Sequence, residues 1–251
     1  MSYQSTSIGS KWIKTKWLLG KKNTRAYVPQ TMPFTRGNLG AMLAQYATVY
    51  FKPTGGTGGS NINRIRKLKD GYQVQLNSNK QRYATQDELY EELKRRAKGR
   101  SYLLQKGIQL AEANGRPFDI RVMVQKSNEG TWKSTAIFTK IGKAGKVATN
   151  YHQGGELGYF KPTLAKAGFG KSVIARKEEE LKQLGQKVGR AFDRHMKGFR
   201  ELGLDVALDG EGNAWILEVN TRPQFYPLKQ MGDKSMYRSI MSYAKQYGRK
   251  G

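Results

Sequence analysis

The segment Leu202-Gly203-Leu204-Asp205-Val206-Ala207-Leu208, closed by Ala214-Trp215-Ile216-Leu217-Glu218-Val219-Asn220, constrains this chain more than any other. Val206–Leu208 and Ala214–Val219 read as two strands joined by a turn at Asp209-Gly210-Glu211-Gly212. Glu218 and Asn220 differ by two on the second strand, so both side chains project from one face. Asp205, thirteen residues before Glu218, lies on the partner strand and can converge on them. Trp215, Ile216 and Leu217 place apolar residues on both faces of the strand, where a charge needs a reason. Two carboxylates and an amide oxygen form a hard-oxygen set suited to Mg²⁺, which binds few protein ligands and adds phosphate oxygens. The plainer alternative is an edge strand on which Glu218 and Asn220 simply face solvent.

The remaining pattern is mixed α+β, with strands grouped and helices between the groups. Thr35 is placed to cap a helix with Leu39, Met42, Leu43 and Tyr46 on one face. A strand-like run at 48–51 follows, then two short strands near 62–67 and 71–76 around the hairpin signal Asp70-Gly71. Thr85-Gln86-Asp87-Glu88 is a capping box opening a helix with Leu89, Leu93 and Ala97 inward. Tyr102–Gln105, Phe118–Gln125 and Trp132–Ile141 are β-rich. Leu181, Leu184, Val188, Phe192, Met196 and Phe199 recur at helical intervals and predict one helix from about 171 to 202. Asp233 can cap a last helix with Met236, Ile240, Tyr243 and Tyr247 on one face.

Cysteine is absent, which excludes disulfides, thiolate metal sites and cysteine nucleophiles, and the two histidines stand far apart. No apolar run approaches the ~18 residues that span a bilayer, and MSYQSTSIGSKW lacks a secretory core. A soluble, cytoplasmic protein is expected. Forty-five Lys and Arg against nineteen acids give a net charge of +26, and no acid precedes Asp70. Such a surface favours a polyanion (nucleotide phosphates, nucleic acid, an acidic polypeptide or an anionic surface) or is a solvated face aiding solubility.

Lys52 stands at a strand end before Thr54-Gly55-Gly56-Thr57-Gly58-Gly59-Ser60. Glycines let backbone N–H groups approach phosphate oxygens, and the lysine adds a point charge. The order is the reverse of a P-loop, in which the lysine follows the glycines. An unspecialised hairpin tip has the same composition.

FKPTGGTGG, YLLQKGIQLAEANGRPFDIRVMVQ and LGLDVALDGEGNAWILEVNTRP together resemble the ordered motifs of the ATP-grasp superfamily, nearest to its spore-coat-associated YheC/YheD-type branch. GSKW, YVPQT at 27–31 and TNYHQGGE at 149–156 fit that branch, so the resemblance runs from about residue 9 to 232. It implies an ATP-grasp (glutathione-synthetase-like) fold, with ATP clasped by two α+β subdomains: an N-terminal segment at 1–34, a small subdomain at 35–105 and a large one at 106–251. It further implies that Lys52 and the loop residues Gly55, Gly56, Thr57, Gly58, Gly59 and Ser60 hold the phosphates. Lys11 takes the place of an earlier nucleotide-binding lysine, with Lys14 and Lys16 competing. Leu104, Gln105, Lys106 and Ile108 form the hinge strand against adenine, although that segment commonly has an acid where Gln105 stands. Arg121 and Lys140 face the transferred phosphoryl group with Asn150 nearby, and Asp205, Glu218 and Asn220 hold Mg²⁺, or Mn²⁺ in its place. Arg121 also has a plainer reading as a salt-bridge partner of Asp119. His152 is either a substrate contact or a loop residue with a local hydrogen bond, and His195 a surface residue.

The implied reaction activates a carboxylate as an acylphosphate for attack by an amine or similar nucleophile. A phosphotransferase on the same scaffold, and a non-catalytic polyanion-binding or spore-structural protein, are the alternatives. Only about ten residues precede Lys11, so the N-terminal domain usual in such enzymes is expected to be missing, leaving the acceptor site to a partner or to a large acidic acceptor. Nucleic acid is the less favoured partner.

Overall fold

The computed structural model describes residues 2–56, 61–142 and 155–250. Ser10 caps α1 (Lys11–Leu19) through its side chain, and a single turn, α2 (Lys22–Arg25), follows. The first sheet has the order β1-β6-β2-β3-β4-β5 and is antiparallel throughout. Its strands are Thr31–Pro33 (β1), Thr48–Pro53 (β2), Asn63–Leu68 (β3), Gly71–Leu76 (β4), Asn79–Tyr83 (β5) and Tyr102–Lys106 (β6). Two helices cover one face: α3 (Arg36–Gln45), capped by Thr35, and α4 (Gln86–Ala97), whose capping box forms as the sequence predicts. Leu39, Met42, Leu43, Leu89, Leu93 and Ala97 meet Val49, Phe51, Ile65, Val74 and Leu104 there. The strand β5 was not legible, because Asn79–Tyr83 carries almost no apolar side chains and is set by its ladder to β4 and by contacts of Gln81 and Tyr83 with Arg96 of α4.

The second sheet has the order β10-β9-β8-β11-β12, with the short β7 (Glu112–Ala113) paired to β8. Its strands are Arg116–Lys126 (β8), Trp132–Ile141 (β9), Glu156–Tyr159 (β10), Glu201–Leu208 (β11) and Ala214–Asn220 (β12). Two helices precede β11, α5 (Phe160–Lys166) and α6 (Lys171–His195), and α7 (Ser235–Ala244) closes the fold. Leu181, Leu184, Val188 and Phe192 of α6 pack on Ile120, Val122, Val124, Leu202 and Leu204, joined by Leu18 of α1. The opposite face receives α7 and the 3-10 turn Tyr226–Gln230 through Met123, Phe138, Phe225, Leu228 and Ile240. Asp233 accepts from the Ser235 N–H at 2.8 Å, next to the cap position held by Lys234.

Two expectations need correction. The last helix has Lys234 rather than Asp233 at its cap position and ends at Ala244, so that Tyr247 lies in the 3-10 turn after it. The helix α6 stops at His195 rather than near 202, because Met196 is extended and Gly198 adopts φ +88°, a conformation that favours glycine. Phe199 still reaches the core from the connecting loop, whereas Met196 is exposed. Strand pairing along β8 begins at Glu201, so periodicity carried past the true boundary. His195 is exposed and stacks on Trp17. Among the described residues no helix is long and apolar enough to cross a membrane.

Beneath α7 lies a buried polar network. Glu201 is fully buried, pairs with Arg249, and accepts from Tyr3 and Tyr247 hydroxyls at 2.7 and 2.8 Å. Arg249 donates to the Pro223 carbonyl at 2.7 Å, fixing the chain that leaves β12. Removing one partner of such a pair leaves a buried charge, costing about 3–5 kcal/mol. Glu201→Gln and Arg249→Met are each expected to lower urea-unfolding stability by that amount, and Glu201→Gln/Arg249→Met, which removes both charges and keeps an acceptor for the tyrosines, by less than either. Equal losses in all three variants would show that packing and not charge governs this site.

Candidate functional site

The centre of the site is a row across the second sheet. Register places Arg121 of β8 opposite Asp205 of β11, and Asp205 opposite Glu218 of β12, so period two aims all three at one face. Arg121 Nε donates to Asp205 Oδ1 at 2.8 Å, and Lys140 of β9 reaches the same oxygen at 2.9 Å. Lys140 also pairs with Asp119, directly across the ladder, at 2.9 Å. Arg121 thus has Asp205 as its hydrogen-bonded carboxylate, and Asp119 pairs with Lys140. Asn220 donates its amide nitrogen to Asp205 Oδ2 at 3.1 Å, which leaves its oxygen uncommitted by that bond.

Two local devices make the row possible. The β11–β12 register slips between Asp205 and Val206, leaving Leu217 as the extra residue of a bulge. Its carbonyl accepts from Lys52 Nζ at 3.1 Å, a contact between the two sheets. Gly203, opposite Asn220, leaves room for neighbouring groups: a Cβ there would stand 2.6 Å from Pro223 and 3.2 Å from the Arg121 side chain.

Lysines from outside the row converge on Glu218. Lys11 and Lys14, one turn apart at the start of α1, lie 3.5 and 3.9 Å from Glu218 Oε1. Lys11 also donates to the Gly56 carbonyl of the glycine loop at 2.6 Å, while Lys16 is exposed. Of the three lysines that competed, two share the site; their three-residue spacing puts them on one helical face, a signal present in the sequence. Lys52 is buried and donates to Gln105 Oε1 at 2.7 Å, and Gln105 donates in turn to Thr31. A neutral amide at 105 leaves the ammonium uncompensated there.

The electrostatics follow from this crowding. Lys11, Lys14, Lys52, Arg121 and Lys140 are all buried, against Asp119, Asp205 and Glu218: five cations and three carboxylates. Burial alone would raise the Asp205 carboxyl, but Arg121 and Lys140 hold it far below the usual carboxylate range. Burial lowers Arg121 and Lys140, and their carboxylate partners more than reverse it. Lys14 and Lys52 are shifted down, chiefly by burial, with Lys52 reaching about 8. Among the described residues no group of three His, Cys, Asp or Glu side chains is placed to hold a metal ion. A divalent cation would therefore draw on Glu218 and the Asn220 amide oxygen with oxygens from a ligand, a donor set that fits Mg²⁺.

Other predicted positions are placed as follows. Gly55 and Gly56 lie in the described part of the loop; Thr57, Gly58, Gly59 and Ser60, and likewise Asn150 and His152, lie outside the described residues. Leu104 turns its side chain into the core under α3 and α4, on the face opposite Lys52 and Gln105. Lys106 sits over the rings of Tyr46 and Trp215, between the sheets, and half-buried Ile108 follows in the irregular segment after β6.

A sequence profile described as YheC/D like ATP-grasp matches residues 2–250. The chain belongs to the YheC/D-like ATP-grasp family. It is similar to the endospore coat-associated protein YheD of Bacillus subtilis, with 26% identity over 209 residues, covering 78% of this chain and 45% of that protein. To YheC of the same organism identity is 21% over 231 residues, covering 88% and 63%. The chain thus spans less than two thirds of either relative's length. Among solved structures it is similar to N5-carboxyaminoimidazole synthase from Aspergillus clavatus in complex with ADP, with a TM-score of 0.57 and 12% identity over 96% of this chain and 54% of that one. D-alanyl-alanine synthetase A from Vibrio cholerae gives a TM-score of 0.55 and 12% identity over 95% and 64%. At such identity the likeness establishes the fold: this YheC/D-like protein has the α+β ATP-grasp fold.

The shift of Lys52 has a consequence for stability. Its folded value of about 8 lies below the ordinary 10.5, so the unfolded chain binds the extra proton between those values. Stability therefore rises with pH across that window, by at most about 1.4 kcal/mol per pH unit. Denaturation of wild type and Lys52→Met, compared between about pH 8 and about pH 10, is expected to show wild type gaining on the variant. Parallel pH curves would mean that Lys52 titrates as an ordinary lysine.

Proposed function

We propose that this protein is an ATP- and Mg²⁺-dependent ligase that activates a carboxylate as an acylphosphate for attack by an amine or similar nucleophile. The observation carrying this reading is the surplus of buried cations at the junction of the two sheets, beside Glu218 and Asn220. Unpaired buried charge is unfavourable, and a polyphosphate is the anion that would compensate it. The ADP held by the similar synthase from Aspergillus clavatus, on the same fold, supports a nucleotide as that anion.

Each group then has a task. Lys11, Lys14 and Lys52 bind phosphate oxygens below the glycine loop, with Lys106, Gln105 and the backbone of the segment that follows β6 lining the base-binding end. Arg121 and Lys140 face the transferred phosphoryl group, where their charges oppose the negative charge of the transition state. Asp205 holds these two cations in place beside the phosphates, and together with Glu218 and Asn220 it would hold a divalent cation through oxygen atoms. Bound there, Mg²⁺ (or Mn²⁺) supplies further neutralisation of the phosphate charge. The substrate carboxylate forms a bond to the γ-phosphorus as the bond to ADP breaks. The amine then adds to the acyl carbon, loses a proton, and phosphate leaves. Positioning and charge do this without a nucleophilic side chain. The relatives' association with the endospore coat supports a setting at the spore surface for this protein also.

The test is ADP and phosphate release from ATP and Mg²⁺ by the purified full chain, with carboxylate and amine libraries. Release that depends on both co-substrates supports the ligase; a stable phosphorylated product without amine points to a phosphotransferase, and no turnover to a binding protein. Glu218→Gln is expected to weaken Mg²⁺-dependent nucleotide binding at least about tenfold, about 1.4 kcal/mol, while nucleotide binding without Mg²⁺ is retained and shows that the variant is folded. Unaltered binding in that variant places the metal elsewhere.

A further inference from the structure

The nucleotide site leaves unexplained the charge carried by β3, β4 and β5. Ile65, Tyr72, Val74 and Tyr83 face α3 and α4, so the alternate residues lie on the helix-free face, the one that carries Lys52 and Gln105. Register aligns them in two rows that run outward from β2. One is Tyr50, Arg64, Gln75 and Lys80; the other is Thr48, Arg66, Gln73 and Arg82. Arg66, Lys80 and Arg82 are exposed, and from 48 to 83 the one acid is Asp70, at the β3–β4 turn. Like charges two apart on one strand, Arg64 with Arg66 and Lys80 with Arg82, repel each other, and the two rows contain no acidic residue to relieve them. Protection of an edge strand accounts for Lys80 and Arg82 but not for arginines on the interior strand β3.

We propose that this helix-free face, with the edge of β5, is a docking surface for an extended acidic polypeptide that leads a carboxylate side chain toward Lys52 and the phosphates. β5 is exposed and pairs on one side only, so its other edge offers backbone groups to an added strand, the mode by which sheets capture extended peptides. Alternate side chains of that strand repeat at roughly 7 Å, the same interval that separates Lys80 from Arg82, so acidic residues at every second position meet cations in register. A nucleic acid lacks the backbone amides for this pairing, and Tyr50 is the sole aromatic side chain of the two rows for bases to stack on. As the identity of the acceptor, the proposal rests on the ligase reading; the binding of an acidic peptide does not.

The experiment measures fluorescence anisotropy of a labelled oligoglutamate and of a single-stranded oligonucleotide of equal charge, at low and at about 0.15 M salt. Three proteins are compared: wild type, Arg66→Glu/Lys80→Glu/Arg82→Glu, and a charge-matched control, Lys171→Glu/Arg176→Glu/Arg190→Glu, whose sites are exposed on α6. Oligoglutamate affinity is expected to fall at least tenfold further in the sheet variant than in the control, about 1.4 kcal/mol, with nucleotide affinity and thermal midpoint unchanged. Equal losses in both variants would overturn the surface, as general charge then explains binding. It is overturned also if the oligonucleotide binds more tightly and is the one whose binding the sheet variant loses. Oligoglutamate binding specific to the sheet without any ATP turnover sinks the ligase reading and leaves the surface standing.

Discussion

Asp205 accepts two buried cations on a single oxygen, and most of the arrangement around it can be understood from that contact. Arg121 and Lys140 have no solvent to turn to, so their place is decided by the carboxylate that neutralises them. Asp119 takes a share of Lys140, and Asn220 secures the second oxygen of Asp205. The result is a charged row across the sheet, backed by the α6 core on one face and bordered by Phe225 and Met123 on the other. Glu218, at the end of that row, is left to Lys11 and Lys14 at longer range.

The site is also where the two sheets meet. Lys52 of the first sheet bonds to the bulged Leu217 of the second, and Lys11 joins α1 to the glycine loop. Lys106 bridges Tyr46 and Trp215 across the same junction. These contacts are polar and cationic rather than apolar, so an anion entering the junction competes for the groups that now hold the two sheets together.

Much of this was legible in the sequence, for local reasons. Glu218 and Asn220 share a face because strands repeat every two residues, and the helices capped by Thr35 and Thr85 begin where their side-chain oxygens can meet free N–H groups. The helix end at His195 was not legible, since Met196 and Phe199 continue the apolar spacing while Gly198 breaks the backbone. Lys14 and Asp119 entered the site as neighbours of residues already singled out, their partners being set by strand register and by the path of α1.

The sequence by itself determined the mixed α+β pattern, the family and the identity of the chemical groups, because these depend on residue type, order and short-range periodicity. Only the tertiary structure decided which of those groups meet. Asp205 pairs with Arg121 rather than leaving it to Asp119, since register sets Asp205 and Arg121 opposite each other while Asp119 stands opposite Lys140. The bulge at Leu217 turns a carbonyl toward Lys52, a contact spanning 165 residues of chain that no local spacing encodes. The carboxylates Glu218 and Asp205 were visible from the start as oxygen donors; the cations gathered around them became visible only when distant strands and a helix end were packed together.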